Sequence, residues 1–412
     1  MVGRKWDVTL IGAALTLLLA GPGFSQDETT PVPVDQQSVV EFTASEYAPH
    51  EGEWAAETMA TLPAEFSASG MVVRPAWYFQ AEALALKPDI SGAPTFAELV
   101  DRVWIEDADA PGTWNATDTV TQRLDVGDLG LAYRGGGRAI IGRTLGTHGA
   151  MEVSYFQVGN WDDIAAVHDA IPFVDAVDAG GNPTTTFPAS LFSPFSDFGD
   201  PAIVGLDYNS MASIAYSSRL YNVEWNLRRW VYIDPGQTQL SVLIGWRYIN
   251  LDETFSYRTV SAEPGPGDTT NDVAIEAANR MLGVQIGAMY KAHIQPNWWV
   301  DCEAKAAFFD NNAGQDTEYV HAGVVAYAGT HNGSRWEHIS SSAFDLKLTL
   351  TAEVTPRLAV RGGYQALWLY HVALAPNNFN TDVGALVSGP ALLNDSGNVV
   401  YHGPHLSVTC IW

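Results

Sequence analysis

The sequence predicts an all-β protein, an antiparallel up-and-down transmembrane β-barrel of about ten strands, with twelve as the alternative count. Apolar and polar residues alternate with a period of two in ten segments after residue 71. The segments are about 8 to 18 residues long, which exceeds ordinary soluble strands and suits a tilted bilayer crossing. Short and long connections alternate between them, as in outer-membrane barrels.

Each predicted strand has one apolar face and one polar face. The ten segments are residues 75–86, 138–145, 150–159, 213–230, 238–250, 280–293, 298–309, the two parts of 346–365 on either side of Thr355-Pro356, and 405–412. The alternation is clearest in 213–230, where Val223 and Trp225 alternate with Glu224 and Asn226. Because lipid cannot satisfy backbone polar groups, such strands must close into a ring.

The connections predict the orientation of the barrel. The short ones are residues 146–149, 234–237, 295–297 and 355–356, all containing Pro or Gly. The long ones are residues 87–137, 160–212, 251–279, 310–342 and 372–404. We therefore expect short periplasmic turns and long extracellular loops.

The N-terminal region predicts export. Residues 1–25 have the pattern of a secretory signal peptide, with Arg4 and Lys5 before an apolar run at 8–20 and a small-x-small cleavage site at 23–25. No later window is apolar for long enough to predict a transmembrane helix. Residues 26–70 are acidic and contain four prolines, which indicates a periplasmic tail or a partial plug of the lumen. The barrel is assigned to residues 71–412.

The charge balance limits the partners. With 47 acidic and 21 basic residues the formal charge is −26, which excludes nucleic-acid binding through phosphates and favours attraction of cations. Residues 160–209 hold eight Asp and no Lys or Arg, so we expect an acidic extracellular crown. Cys302 and Cys410 fall on predicted apolar faces, and we interpret them as unpaired.

The polar faces of the strands predict a charged lumen. Its predicted lining residues are Glu82, Glu152, Glu224, Arg228, Arg247, Lys291, Asp301, Glu303, Lys305, Asp345, Lys347, Glu353 and Arg361. Seven are acidic and six basic, so opposite charges can pair. Two interpretations stay open, a narrow aqueous pathway or an ion-pair network that fills a small lumen. A ten-stranded ring lies near the size at which side chains fill the interior.

Aromatic residues are expected at both membrane interfaces. Trp77, Trp298 and Trp412 fall near the predicted periplasmic strand ends, and Trp246, Tyr248, Phe308, Trp368 and Tyr370 fall near the outer ends. The last strand, ending in Trp412, is also where we expect the barrel-assembly machinery to bind.

Other candidate sites have little sequence support. The histidines His321, His331, His338, His371, His402 and His405 lack the spacing of a zinc signature, so no metal or other cofactor is predicted. Asp175, Asp178 and Asn182 offer oxygen ligands for calcium but lack EF-hand spacing. A hydrolase at the loop rim would use residues such as Asp310, Asp316, His338 and His371.

Several blocks resemble the outer-membrane β-barrel porin family of planctomycete bacteria. They are GGGRAIIGRTLGTHGAMEVSYFQVGNW (135–161), EWNLRRW (224–230), GWRYINLDETF (245–255), NRMLGVQIGA (279–288), FFDNNA (308–313) and VTPRLAVRGGYQALWLYHV (354–372). The resemblance covers most of residues 71–412, although the ending SVTCIW departs from the phenylalanine common at this position. It implies a porin-like protein and no catalytic residues.

The leading functional hypothesis is a porin-like outer-membrane protein that passes small solutes or ions with a preference for cations. Its predicted partners are the lipid bilayer, the assembly machinery and the solutes, with no nucleic acid. The alternative is a non-conducting surface anchor or binding protein that acts through its long acidic loops. The third hypothesis is the rim hydrolase.

Overall fold

The computed structural model describes residues 77–146, 149–234, 238–261, 269–323, 327–389 and 391–412. The predicted signal peptide (1–25), the tail (26–70) and parts of the turns at 146–149 and 234–237 lie outside the described residues. None of the described helices is long and apolar enough to cross a membrane.

The described part of the chain consists mainly of strands. In chain order they are β1 (Trp77–Ser91), β2 (Ala97–Glu106), β3 (Trp114–Leu124), β4 (Arg134–Thr144), β5 (Gly149–Val158), β6 (Trp161–His168), β7 (Phe173–Val177), β8 (Pro183–Phe187), β9 (Leu191–Phe192), β10 (Asn209–Asp234), β11 (Thr238–Ser261), β12 (Thr269–Gln295), β13 (Trp298–Ala322), β14 (Gly329–Thr355), β15 (Leu358–Val372) and β16 (Gly397–Ile411). A short helix, α1 (Val383–Ser388), and three single 3₁₀ turns lie in the connections.

Ten strands close into one antiparallel ring, which confirms the predicted fold class. Each strand pairs with the next in the order β1, β4, β5, β10, β11, β12, β13, β14, β15 and β16, and β16 returns to β1. We call the end of the ring that holds the short turns β12–β13 and β14–β15 the turn end, and the opposite end the loop end. At the loop end, β10 extends past the end of β5 and pairs there with β6. The short strand β9 pairs with both β10 and β2, and so links the β2–β3 hairpin to the ring.

Two of the predicted long loops are wrong. Most of 251–279 belongs to β11 and β12, and most of 310–342 belongs to β13 and β14. The other three long connections also begin or end several residues inside the predicted bounds, because β1, β4, β10 and β16 are longer than predicted. The alternation does continue along these strands, but the apolar residues change from the outward face to the inward face.

In the half of the ring nearest the turn end, which we call the turn half, the outward face is apolar. Ile244 and Trp246 on β11 are 60% and 56% exposed, and Phe308 on β13 is 63% exposed. The outward apolar residues of the central strands include Val223, Trp225, Leu227, Val242, Ile244, Trp246, Leu282, Val284, Ile286, Phe308, Leu346, Leu348 and Leu350. Together they form an apolar band around the ring.

In the half nearest the loop end, the loop half, the inward face is apolar instead. On β11, Phe255 is 1% exposed and Tyr257 is fully buried, while their neighbours Thr254 and Ser256 face solvent. Wall residues of this core include Leu84, Leu86, Phe156, Ile214, Tyr216, Leu251, Phe255, Tyr257, Val273, Ile275, Met281, Leu367, Leu369 and Tyr401. The loop half is therefore built like a soluble protein.

A polar row marks the boundary between the two halves. Strand register places Tyr221, Asn250, Arg280, Asn312 and His338 side by side on the outward faces of β10 to β14. The next row towards the turn end contains Val223, Tyr248 and Leu282 on β10 to β12. It continues with Asp310 and Ser340 on β13 and β14, so the boundary lies one row nearer the turn end on those two strands.

The connections at the loop end fold into the mouth of the ring. Phe96 lies 4.6 Å from Phe255 and 5.2 Å from Phe379, measured between ring centroids, and Phe195 lies 5.5 Å from Phe379. Each fully buried aromatic side chain contributes roughly 1.5–3 kcal/mol. Asp207 stabilises the connection that contains Phe195. Its buried carboxylate accepts hydrogen bonds from the Ser193 N–H, the Ser196 hydroxyl and the Ile203 N–H at 2.7–2.9 Å. Burial raises the pKa of Asp207.

Candidate functional site

The candidate site is the interior of the turn half, where the strands turn their polar faces inward. All thirteen residues predicted to line the lumen lie on these strands at inward positions. Neutral side chains share the faces, among them Gln80, Asn222, Asn226 and Gln285.

Glu224 is the centre of one cluster. It accepts hydrogen bonds from Lys305 at 2.9 Å, from Gln285 at 3.0 Å and from Asn222 at 3.0 Å. Lys305 lies on β13, three strands away from β10 around the ring, so this pair crosses the interior. Arg247 lies 3.8 Å from Glu224 and also binds the carboxylate of Asp345 on β14.

Arg228 joins a second group across the same interior. Its guanidinium binds Glu152 at 2.9 Å and Glu303 at 2.7 Å, so one cation from β10 links a carboxylate on β5 with one on β13. The Tyr78 hydroxyl donates a hydrogen bond to Glu152 at 2.6 Å. The Tyr78 ring lies directly over Gly142. A Cβ atom at position 142 would lie only 2.1 Å from the Tyr78 Cζ atom, so the ring can occupy this place only because residue 142 is glycine.

Glu82 is the centre of a third cluster of charged and polar side chains. It pairs with Arg138 at 2.7 Å and with Lys347 at 2.5 Å, and Gln80 donates to it at 3.1 Å. His405 lies 3.6 Å from the same carboxylate. On the side nearer the turn end, Asp301 pairs with Arg361 at 2.9 Å.

The charges of the β14–β15 hairpin therefore pair with other strands. Asp345 binds Arg247, Lys347 binds Glu82 and Arg361 binds Asp301. Glu353 and Lys291 differ from the rest, because neither makes an ion pair with another described residue. Lys291 instead lies over the ring of Trp299, with its Nζ atom 4.6 Å from the centroid.

Sequence reasoning misses several residues of this interior. Arg138 and His405 contact Glu82, yet neither is among the predicted lining residues. The alternation could have identified both residues, because each is in phase with the inward face of its strand. Arg138, for example, lies directly opposite Glu82 in the β1–β4 pairing. The glycines at 135–137 obscure the alternation there.

The interior closes in two layers. Ion pairs between strands up to three positions apart around the ring fill the turn half, and the apolar core fills the loop half above them. Connection residues complete this upper layer: the Ala375 N–H donates to Glu253 at 2.9 Å, and Asn279 donates to the Ala373 carbonyl at 2.7 Å. Towards the turn end, a cavity of about 210 Å³ is left beneath the ion pairs.

The eight aromatic residues predicted near the strand ends all face outward, Trp368 and Tyr370 included, and their place at membrane interfaces stays a prediction. Trp77, Trp298 and Trp412 are exposed at the turn end, and Trp246, Tyr248 and Phe308 lie at the upper edge of the apolar band. Cys302 and Cys410 are unpaired and also face outward.

The rim and calcium candidates lie elsewhere. Asp310 and His338 contact each other at 3.2 Å, but on the outer wall of the ring, where both are largely exposed. Asp316 is likewise outward and exposed. Asp175 pairs with Arg102 at 2.9 Å.

The Asp178 carboxylate accepts backbone N–H groups. It accepts hydrogen bonds from the Gly180 N–H at 2.8 Å and the Asn182 N–H at 2.9 Å, and these bonds lower its pKa. Calcium binding at Asp175, Asp178 and Asn182 stays a prediction. In the described parts of the chain, no three His, Cys, Asp or Glu side chains are grouped closely enough to hold a metal ion.

One family model of a β-barrel matches this chain. The family model described as "Putative beta barrel porin-7 (BBP7)" matches residues 120–412. A search of curated proteins gives no match. The planctomycete source implied by the sequence blocks stays a prediction.

Solved structures of outer-membrane barrels are similar only at low identity. The outer membrane protease OmpT from Escherichia coli is 9% identical, with a TM-score of 0.36, and the match covers 84% of this chain and 99% of that one. A major outer membrane protein from Thermus thermophilus is 11% identical, with a TM-score of 0.25, over 82% of this chain and 99% of that one. Likeness at this level carries no functional argument.

Proposed function

Because the chain belongs to the β-barrel porin-7 family, we propose that it is an outer-membrane barrel whose interior is closed in the resting state and whose loop half is displayed at the cell surface. The observation that carries the proposal is the continuous apolar core of the loop half, which spans the ring from Leu86 to Tyr257 and includes Phe379 from a connection. Water and ions do not cross such a core at a useful rate, because polar groups lose their hydrogen bonds there.

The proposal assigns the turn end to the periplasm, since outer-membrane barrels have short periplasmic turns and longer extracellular loops. The lipid bilayer would contact the apolar band. The assembly machinery would bind β16, whose last residues pair with Trp77 of β1 and with Arg357. Export by a signal peptide at 1–25 is part of the same proposal.

The surface role rests on the charge of the connections at the loop end. Six of the eight Asp residues within 160–209 reach the surface, whereas Asp169 and Asp207 are buried, and these six make the face acidic. An acidic face on a rigid scaffold favours cations or a basic partner. The protein would then act as an anchor or binding protein through its long loops.

Passage of small solutes or ions, with a preference for cations, is the second candidate. The cavity of about 210 Å³ favours it, because water from the turn end can reach the ion pairs around Arg228. The acidic loop end would attract cations to the other mouth. Conduction would require the apolar core to be displaced, and for that reason this function comes second. A hydrolase is disfavoured by the family, and by the outer-wall position of Asp310 and His338.

Conductance across planar bilayers separates these functions. The purified barrel is expected to leave the membrane current at the level of lipid alone, while an open porin inserted in the same way shows that channels can be detected. Steady current steps would contradict the closed barrel. If such steps also reverse at a potential that reports cation selectivity in a salt gradient, the second candidate replaces the first.

A further inference from the structure

The cavity at the turn end has the dimensions of a small-molecule site. Its volume is about 210 Å³, and each molecule in liquid water takes about 30 Å³. Several waters or one small organic molecule therefore fit. A drug-sized ligand, which usually needs at least about 300 Å³, does not.

The walls of the cavity carry balanced charges. Four carboxylates line it, Glu152, Asp301, Glu303 and Glu353, and four cations, Arg228, Lys291, Lys347 and Arg361. Six of these eight side chains are engaged in the ion pairs described above. Lys291 and Glu353 make no direct ion pair among the described residues, although their charges attract each other at longer range. A ligand that pairs directly with both side chains must carry one charge of each sign.

The two spare charges lie on either side of an aromatic wall. Lys291 is on β12 and Glu353 is on β14, and the intervening strand β13 carries Trp299. The Lys291 ammonium lies over the indole ring rather than against a carboxylate. The spacing therefore places a cation, an indole and a carboxylate on three neighbouring strands.

Four residues of the cavity wall each carry a buried polar atom that has no hydrogen-bond partner among the described residues. These atoms are Gln239 Nε2, Trp299 Nε1, Asp301 Oδ1 and Glu353 Oε2. Leaving such an atom unsatisfied costs about 1–3 kcal/mol. Two of the four are donors and two are acceptors, and terminal side-chain torsions rotate easily enough to turn the Gln239 and Glu353 groups into the cavity.

Apolar side chains complete the lining. Trp230, Met289 and Ile411 face the cavity beside the Trp299 ring. A ligand with only charged groups would leave this surface uncovered, whereas one with a compact hydrocarbon part would bury it.

We infer that this cavity binds a small zwitterion with an apolar side chain, of the class of aliphatic α-amino acids. The carboxylate of the ligand would contact the Lys291 ammonium, and its ammonium group would contact Glu353. Its side chain would lie against Trp230 and Met289. The inference holds whether or not the barrel conducts, because the cavity lies on the turn side of the ion pairs.

Three probes with the same hydrocarbon part test the inference. L-Leucine carries both charges, isocaproate lacks the ammonium group and isoamylamine lacks the carboxylate. Binding is measured by calorimetry on the full-length protein in lipid nanodiscs, so that detergent does not occupy the cavity. Leucine is expected to bind at least about tenfold more tightly than either other probe, which corresponds to about 1.4 kcal/mol.

Variants then assign the two charged contacts. Lys291→Met and Glu353→Gln are each expected to weaken leucine binding by about tenfold or more. Glu353→Gln should leave isocaproate binding unchanged, since that probe has no ammonium group. Lys87→Met and Glu318→Gln, on exposed outer positions of β1 and β13, are the matched controls and should bind leucine normally.

Three results would overturn the inference. They are no saturable leucine binding, equal binding of leucine and either single-charge probe, and unchanged leucine binding by folded Lys291→Met. The three-probe comparison uses the unaltered protein, so it decides the matter even if a variant fails to fold.

Discussion

The two halves of the barrel are built from the same strands but have opposite polarity. Along β11, Ile244 and Trp246 face outward in the turn half, whereas Phe255 and Tyr257 face inward in the loop half. The period of two never changes; only the face that carries the apolar residues does. Alternation therefore reports that a segment is a strand, and the phase of the apolar residues reports which solvent surrounds it.

The interiors follow from this difference. Where lipid surrounds the ring, apolar side chains must point outward, so the inward positions are polar and need partners, as Glu224 and Arg228 show. Where water surrounds the ring, the inward positions are free to form an ordinary hydrophobic core. One chain thus combines a membrane barrel with a water-exposed extension.

The largest effect is expected from the core of the loop half. Phe255→Ala removes a ring that is 1% exposed and contacts Phe96, so it should lower the free energy of unfolding by about 3–5 kcal/mol. Thr254→Ala, on the outward face one residue away, should change it by no more than about 0.5 kcal/mol. Denaturant unfolding of both variants in the same detergent measures the difference. Equal effects would mean that the loop half has no packed core.

A lysine moved along the outward face of β11 should report the surrounding solvent. Ile244→Lys puts a charge inside the apolar band and should destabilise the barrel by about 2–4 kcal/mol in lipid. Thr254→Lys lies ten residues further along the same face and should be nearly neutral. Unfolding in lipid vesicles gives both values. A similar cost at the two positions would place lipid along the whole strand.

The buried Glu253 should make the loop half sensitive to pH. Its carboxylate accepts hydrogen bonds from the Tyr216 hydroxyl and the Ala375 N–H, and burial raises its pKa to about 7. A raised carboxyl pKa means that the folded chain binds the proton more tightly than the unfolded chain, so stability falls as pH rises from about 4.5 to about 7.

Unfolding measured between pH 5 and pH 8 tests this linkage. The wild-type loss should be on the order of 3 kcal/mol across the window, and Glu253→Gln should remove most of that slope. Glu318→Gln, at an exposed position of β13, should keep it. A slope that survives in Glu253→Gln would assign the pH dependence to other groups.

Sequence alternation is sufficient for the turn half and misleading for the loop half. The alternation predicts the ten strands and their closure into a ring, and it predicts that charged residues such as Glu224 and Lys305 face inward. The phase change after Tyr248 resembles the end of a strand, because outward apolar residues stop there. The sequence also does not predict which charged residues pair with each other. Lys347 and Glu82 are 265 residues apart and meet only because the ring closes between β16 and β1.

Collision accessibility of spin labels along β11 tests the central claim most directly. In a variant without Cys302 and Cys410, single labels would be placed at outward positions 242, 244, 254 and 256 and at inward positions 255 and 257, with the barrel in lipid. We predict that 242 and 244 collide with oxygen, that 254 and 256 collide with a water-soluble nickel reagent, and that 255 and 257 collide with neither. Nickel access at 255 and 257 would reveal an open lumen, and oxygen-dominated access at 254 and 256 would reveal lipid; either result would contradict a barrel of two opposite halves.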